Sequence, residues 1–289
     1  MELAVYYFSG TGNTYILANQ IADKFETTPI SIPRVMHRDK IHVDSQDMCI
    51  VFPSYMATLS GLPLIVERFV RNIDNLGEVT LFAVCNCGGY EIVNALPSLH
   101  RLRQIVESCN GKLYAEHSLR LPMNNLDYDH IPIPINRDSE DIIRKATIQT
   151  DRICTMIRQR RRTRFTFPKE LFFLIMKPMY GLINNAVIRE LKIRAHEPDD
   201  SRLHYDELIP LTDKSIVVDG TCTGCGICAK VCPVGNIKLV DRKPEFLHAC
   251  EMCFACDEWC PKGSIHHWSR ANGVKYHHPE VTIKDMLGR

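Results

Sequence analysis

Cys222–Ile237 reads C-T-G-C-G-I-C-A-K-V-C-P-V-G-N-I, and Cys250–Ile265 reads C-E-M-C-F-A-C-D-E-W-C-P-K-G-S-I. Both obey the template C-x-x-C-x-x-C-x-x-x-C-P-x-G-x-I, and the second copy starts 28 residues after the first (250 minus 222). The stretch is therefore an internal repeat. Three cysteines at steps of three can wrap a tight loop around one face of an iron–sulfide cube. The fourth is carried away by the following turn, because the proline behind it keeps the chain from continuing as helix. The ligands are then expected to cross over. Cys222, Cys225, Cys228 and Cys260 hold one cluster, and Cys250, Cys253, Cys256 and Cys232 hold the other. Ile227, Val231, Ile237, Phe254 and Ile265 form the dry wall, which is equally the core of a small domain. Structural zinc is the alternative, but it usually takes paired C-x2-4-C with no fixed proline, which fits this pattern poorly. Residues 213–270 thus stand apart as a metal-binding segment.

This segment resembles the bacterial two-cluster [4Fe-4S] ferredoxins, an α+β fold. The remaining cysteines, Cys49, Cys85, Cys87, Cys109 and Cys154, read as small buried hydrophobes. Thirteen cysteines without a signal-peptide pattern at the N-terminus point to reduced thiols and a cytoplasmic protein of an anaerobic or low-oxygen cell. At 289 residues, 45% hydrophobic and 24% charged, the composition is that of an ordinary globular chain of about two domains.

The other end of the chain opens on L-A-V-Y-Y-F (3–8), apolar on both faces as a central parallel strand should be. It runs into S-G-T-G-N-T (9–14) and then a helical pattern carrying Ile16, Leu17, Ile21, Ala22 and Phe25. Strand, Gly-rich turn and helix N-terminus make an anion site. The lysine of a nucleotide-triphosphate loop is missing. So is the third glycine of the dinucleotide fingerprint, because position 15 is Tyr. The loop resembles the phosphate loop of flavodoxins, with Ser9, Gly10, Thr11, Gly12, Asn13 and Thr14 in the matching places. That resemblance implies FMN, whose single terminal phosphate is held by neutral donors.

Further strands are expected over 28–33, 48–52, 80–85 and 112–121, with helices over 63–72, 90–109 and 138–162 between and after them. The alternation predicts a flavodoxin-like doubly wound parallel five-stranded α/β sheet in the order 2-1-3-4-5. Ligands of such sheets sit beyond the carboxyl ends of the strands. Loops 9–14, 53–61 and 86–90 are expected to converge there. The flavodoxin resemblance places Pro53, Ser54, Tyr55, Met56, Asn86, Cys87, Gly88, Gly89 and Tyr90 around the flavin ring, with Tyr55 and Tyr90 as the aromatic candidates. Loop 122–137 would shape the mouth. Neither ring loop carries Trp or the acidic residues common in that family.

Residues 158–194 hold ten Lys/Arg against Glu170 and Glu190. The segment 163–195 is hydrophobic but too short and too charged to span a membrane. It reads as packing on a neighbouring domain or subunit, with contact to an anionic membrane surface as the lesser reading and nucleic acid set aside. Residues 196–212 are acidic and read as a linker. His266, His267, His277 and His278 are expected on a solvated tail. The expected boundaries are 1–162 for the flavodoxin-like FMN-binding domain, 163–212 for the basic helical and linker segment, and 213–289 for the two-cluster domain.

Together the two ends resemble the flavodoxin–ferredoxin fusion proteins labelled EFR-type ferredoxins. The resemblance implies an electron-transfer flavo-iron-sulfur protein that passes electrons between its clusters and FMN, as carrier or one-to-two-electron converter, with a redox protein as donor or acceptor. A head-to-tail homodimer that sets one chain's clusters over the other's flavin is a further expectation. Two rival classes are a flavin-dependent reductase of a quinone, nitro compound or oxygen, and a redox-sensing binding protein.

Overall fold

The computed structural model describes residues 1–55, 61–123, 139–162, 167–268 and 275–287, with the side chains at 167–170, 172–174, 176–177, 179–180 and 182 excepted. The chain divides into two compact units.

The first unit holds β1 (Leu3–Tyr7), α1 (Asn13–Lys24), β2 (Ile30–Ser31), α2 (Ile32–Val35), β3 (Asp47–Pro53), α3 (Leu64–Asn72), β4 (Thr80–Cys87), α4 (Glu91–Ser108), β5 (Leu113–Arg120) and α5 (Ser139–Arg158). The strands form one parallel sheet in the order β2-β1-β3-β4-β5, the flavodoxin-like doubly wound arrangement expected from the alternation. β3 is buried along its whole length and β4 beyond its first residue, because helices cover both faces of the sheet. Leu17, Ala18, Ile21 and Ala22 of α1 and Ala146, Ile153, Cys154 and Ile157 of α5 close one face over Val5, Tyr7, Cys49, Val51 and Val84. An ion pair from Arg160 to the buried Asp47, at 2.7 Å, ties the chain after α5 to the start of β3.

β2 is shorter than the expected 28–33. Pro33 has no N–H to give to a ladder, and it occupies the first turn of α2 instead, where that donor is not needed. β4 runs two residues further than expected, so Asn86 and Cys87 belong to the strand rather than to the loop behind it.

α6 (Phe167–Arg194) is one 28-residue helix carrying Pro178 inside it. Its first part groups with the first unit and Leu182 onward with the second. Among the described residues no helix is long and apolar enough to cross a membrane.

The second unit comprises Gly10–Gly12 and the chain from Leu182 onward, apart from residues outside the description. Within the expected linker, α7 (Tyr205–Leu211) forms behind a capping box in which His204 N donates to Glu207 Oε2 at 2.9 Å. There follow β6 (Val217–Val218), α8 (Ile227–Val231), β7 (Ile237–Val240), β8 (Lys243–Phe246), α9 (Ala255–Glu258), β9 (Ile265–His266) and α10 (Ile283–Leu287). β6 pairs antiparallel with β9, and β7 with β8.

The repeat of the sequence is a repeat of backbone conformation. Gly224 (φ +67°) matches Met252 (φ +52°), Gly226 (φ +76°) matches Phe254 (φ +60°), and Gly235 matches Gly263, both at φ +64°. Each pair is 28 residues apart, which is the spacing of the cysteine repeat. Left-handed backbone is costly for a side-chain-bearing residue. Met252 and Phe254 adopt it while 3% and 7% exposed, so burial of their side chains offsets the cost.

The expected solvated histidine tail is corrected in part. His267 and His278 are buried, whereas His266 and His277 are exposed. His267 lies edge-on to Phe254 at 4.3 Å and beside Trp268 at 5.3 Å. Burial holds its pKa down, at about 3, so the ring is neutral inside this aromatic nest.

Candidate functional site

Two sets of thiols come together, and each takes members from both copies of the repeat. Cys222, Cys225, Cys228 and Cys260 line one small, partly open hollow, with Gly224, Gly226, Ile227, Leu239, Pro244 and Ile265 in its wall. Burial pushes the Cys228 thiol up to about 11, and the nearby Cys225, Cys260 and Cys222 add to the shift. Cys256 is raised well above the ordinary thiol value, first by burial and then by Cys250, Cys253 and Cys232. Cys250 is raised in the same way, by burial first and then by Cys253, with Cys232 a smaller contributor. The crosswise grouping follows from the local turns. α8 carries Cys232 away from Cys222, Cys225 and Cys228, and α9 carries Cys260 away from its own three.

Four thiols buried side by side repel one another once ionised. A cationic iron core removes that repulsion and deprotonates its ligands, so the donor set fits such a group. The polar surroundings also suit thiolate acceptors. Asn236 N lies 3.2 Å from Cys232 Sγ, and Met252 N lies 3.3 Å from Cys250 Sγ. Burial pushes the Cys260 thiol up, but hydrogen bonds from Ser264 and the nearby Lys275 outweigh it, and the net shift is downward. Among the described residues no three His, Cys, Asp or Glu side chains meet at the spacing of a single ion. The thiols of the first set line a hollow instead, which suits a cube bearing a separate iron at each corner. Cys225 is exposed, so this first hollow lies close to the surface.

The second candidate site lies at the carboxyl ends of β1, β3 and β4, three neighbours in the sheet at the place where the strand order reverses. Ser54 N donates to Asn86 O at 2.8 Å, Thr14 Oγ1 to Asn86 Oδ1 at 2.7 Å, and Asn13 Nδ2 to Pro122 O at 2.8 Å. The expected loops therefore do meet. Ser9, Thr11, Asn13 and Thr14 are buried, with Gly10 and Gly12 between them. The stretch 9–14 contains no charged side chain, and its donors are the hydroxyls, the amide and the backbone. That inventory fits a phosphate bound by dipoles at the entry to a 12-residue helix.

Pro53 closes β3, and Ser54 Oγ lies 2.7 Å from Ser98 Oγ of α4. Tyr55 meets Phe8 edge-on at 6.2 Å. Met56 lies outside the described residues, as does most of loop 122–137. Cys87 is buried at the end of β4, and burial lifts its thiol to about 12, so it stays protonated. A side chain on Gly88 would collide with the backbone and Cβ of Met123, so that position demands glycine for space, whereas one on Gly89 would meet only the movable amide end of Asn94. Tyr90 precedes α4 and is 72% exposed, an open aromatic face.

The loop is also met by Trp259, which the sequence reading passed over, and by His278, which it expected on a solvated tail. Trp259 Nε1 donates to Gly10 O at 3.1 Å, and His278 N donates to Thr11 O at 3.0 Å. The available signal was the repeat itself, since Trp259 stands where the first copy has Val231.

Residues 214–261 match the family model of the 4Fe-4S dicluster domain. Among solved structures, a putative flavoprotein from Bacteroides uniformis is 17% identical over 41% of this chain and 90% of its own, with a TM-score of 0.31. The Trp repressor binding protein from Bacillus subtilis is 14% identical over 52% and 96%, with a TM-score of 0.35. A Fusobacterium nucleatum flavodoxin bound to flavin mononucleotide is 12% identical over 55% and 97%, with a TM-score of 0.34. No curated protein matches the chain. The chain carries a doubly wound parallel sheet in the order 2-1-3-4-5, followed by a segment that matches the 4Fe-4S dicluster model.

Proposed function

We propose that this protein transfers electrons between two [4Fe-4S] clusters and an FMN seated by the loop after β1. The observation that carries the reading is the crosswise grouping of eight cysteines, Cys222, Cys225, Cys228 with Cys260 and Cys250, Cys253, Cys256 with Cys232. Such clusters pass one electron at a time, whereas FMN accepts one or two, and the protein supplies placement and tuning. The exposed Cys225 favours the first cluster as the place where a redox partner protein exchanges electrons. The charge-neutral loop 9–14 and the switch-point position support FMN over a triphosphate or a dinucleotide.

Anaerobic purification with iron, sulfide and flavin assays tests the reading. About eight irons, about eight acid-labile sulfides and one FMN per chain are expected. A colourless protein, or zinc in place of iron, overturns it. Partial reduction with a low-potential one-electron donor should then bleach the cluster and flavin absorbances in linked steps. A flavin that stays oxidised while both clusters are reduced would end the proposal that electrons pass between them.

A further inference from the structure

The two copies of the repeat differ at the position four residues after their last cysteine, where the first has Asn236 and the second Ser264. Ser264 lines the hollow of the first thiol set and is 1% exposed. Its Oγ lies 3.3 Å from Cys260 Sγ. A sulfur bonded to iron carries no proton, so in the loaded protein the hydroxyl is the donor. Asp219 N donates to Ser264 O at 2.9 Å and holds the residue in place. Asn236 is turned elsewhere: its Nδ2 donates to Asp213 Oδ2 at 2.8 Å, and its Oδ1 accepts from Ala249 N at 2.6 Å. Backbone N–H groups of the following turn approach Cys232 and Cys260 alike. What distinguishes Cys260 is the side-chain hydroxyl.

The charges around the two sets differ in the same sense. Lys275 Nζ donates to Cys260 O at 2.8 Å and to Asp257 O at 2.7 Å, which holds a cation beside the ligand that Ser264 touches. Lys262, in the place of Val234 of the first copy, also lines the first hollow. The second set has carboxylates for neighbours instead. Asp213, Glu251 and Asp257 are buried, and they act on Cys250, Cys232 and Cys256 respectively. Reducing a cluster adds one negative charge to it. A hydroxyl donor or a cation therefore stabilises the reduced form more than the oxidised one, and a carboxylate does the reverse.

We propose that Ser264 makes the cluster of Cys222, Cys225, Cys228 and Cys260 the more easily reduced of the two, by directing its hydroxyl hydrogen at the Cys260 thiolate. This rests on the cluster reading above and puts its two centres in order. Transfer from the second cluster to the first moves one electron, breaks no bond and runs downhill. A single electron on the chain therefore resides on the first cluster, the one that includes the exposed Cys225.

The experiment is a redox titration of the anaerobically loaded full chain with dithionite, followed by electron paramagnetic resonance. Wild-type protein should show two unequal midpoints. In Ser264→Ala the reduction constant of the more easily reduced cluster should fall about tenfold, about 59 mV for a one-electron couple, while the other midpoint and the iron content stay in place. An unmoved higher midpoint, or a shift in the lower one, overturns the assignment of Ser264 and leaves the cluster reading standing. Wild-type protein that holds no iron overturns the cluster reading itself. If Ser264→Ala loses iron, wild-type protein poised at one electron per chain decides. Its hyperfine-shifted cysteine β-proton resonances should place the electron mainly on the first set of thiolates. An electron mainly on the second set overturns the proposal.

Discussion

Gly224 and Gly235 share a left-handed backbone, φ +67° and +64°, but not their surroundings. A side chain at Gly224 would run into the Arg242 carbonyl, while among the described residues nothing beyond its chain neighbours lies within 4 Å of one at Gly235. Gly235→Ala should therefore cost only the conformational penalty, about 1 kcal/mol, with iron content unchanged. Gly224→Ala should displace the loop between Cys222 and Cys225 and lower iron toward about four per chain. Thermal unfolding and iron assay of the two variants check this. His117, on β5, is buried and its pKa is held at about 4. Its unfolded value is near 6.5. Above 6.5 the ring is neutral in both states and burial is not penalised. As pH falls from 6.5 toward 4 the unfolded chain takes up the proton first, so stability is lost across that window, up to about 3 kcal/mol. In His117→Gln, denaturant unfolding should depend less on pH between 4 and 6.5 than in wild type.

At the scale of elements, the crossing of ligands is open to a direct test. Cys232 lies in the first copy of the repeat but groups with Cys250, Cys253 and Cys256. Cys232→Ser should therefore perturb the cluster of the second copy, and Cys260→Ser that of the first, as read by electron paramagnetic resonance of each reduced variant. If each serine altered the cluster of its own copy, the crossing would be wrong. The grouping of the thiols was legible in the sequence, because each three-cysteine turn is built from residues a few positions apart and the repeat supplies the fourth member from the other copy. The sheet order was legible for a similar reason, since buried parallel strands declare themselves as apolar runs. The limits of β2 were harder, because a single Pro33 shifts the chain from ladder to helix. Helix was expected within 163–212, but the limits of α6 were blurred by Pro178 and by charges that break its hydrophobic period. The bond from Trp259 to Gly10 joins residues 249 apart, and no local pattern encodes it.

For the molecule as a whole, the central kinetic question is whether electrons move within one chain or between two. On flash reduction of the clusters, flavin reduction at a rate independent of protein concentration marks transfer inside a fixed assembly. A rate that rises in proportion to concentration marks encounter between separate molecules. Sedimentation at the same concentrations then distinguishes a single chain from the homodimer expected from its hydrophobic middle. The interleaving of the cysteines also bears on how the protein is made. When a ribosome has translated as far as Cys232, three thiols of the first set have been synthesised and their fourth member has not. On the proposed ligand sets, the second is complete only once Cys256 has been made and the first only once Cys260 has. The two sets are completed within four residues of each other (260 minus 256), so scaffold proteins delivering iron and sulfide would act on a nearly finished segment, and a message cut short between the two copies would yield no half-loaded product.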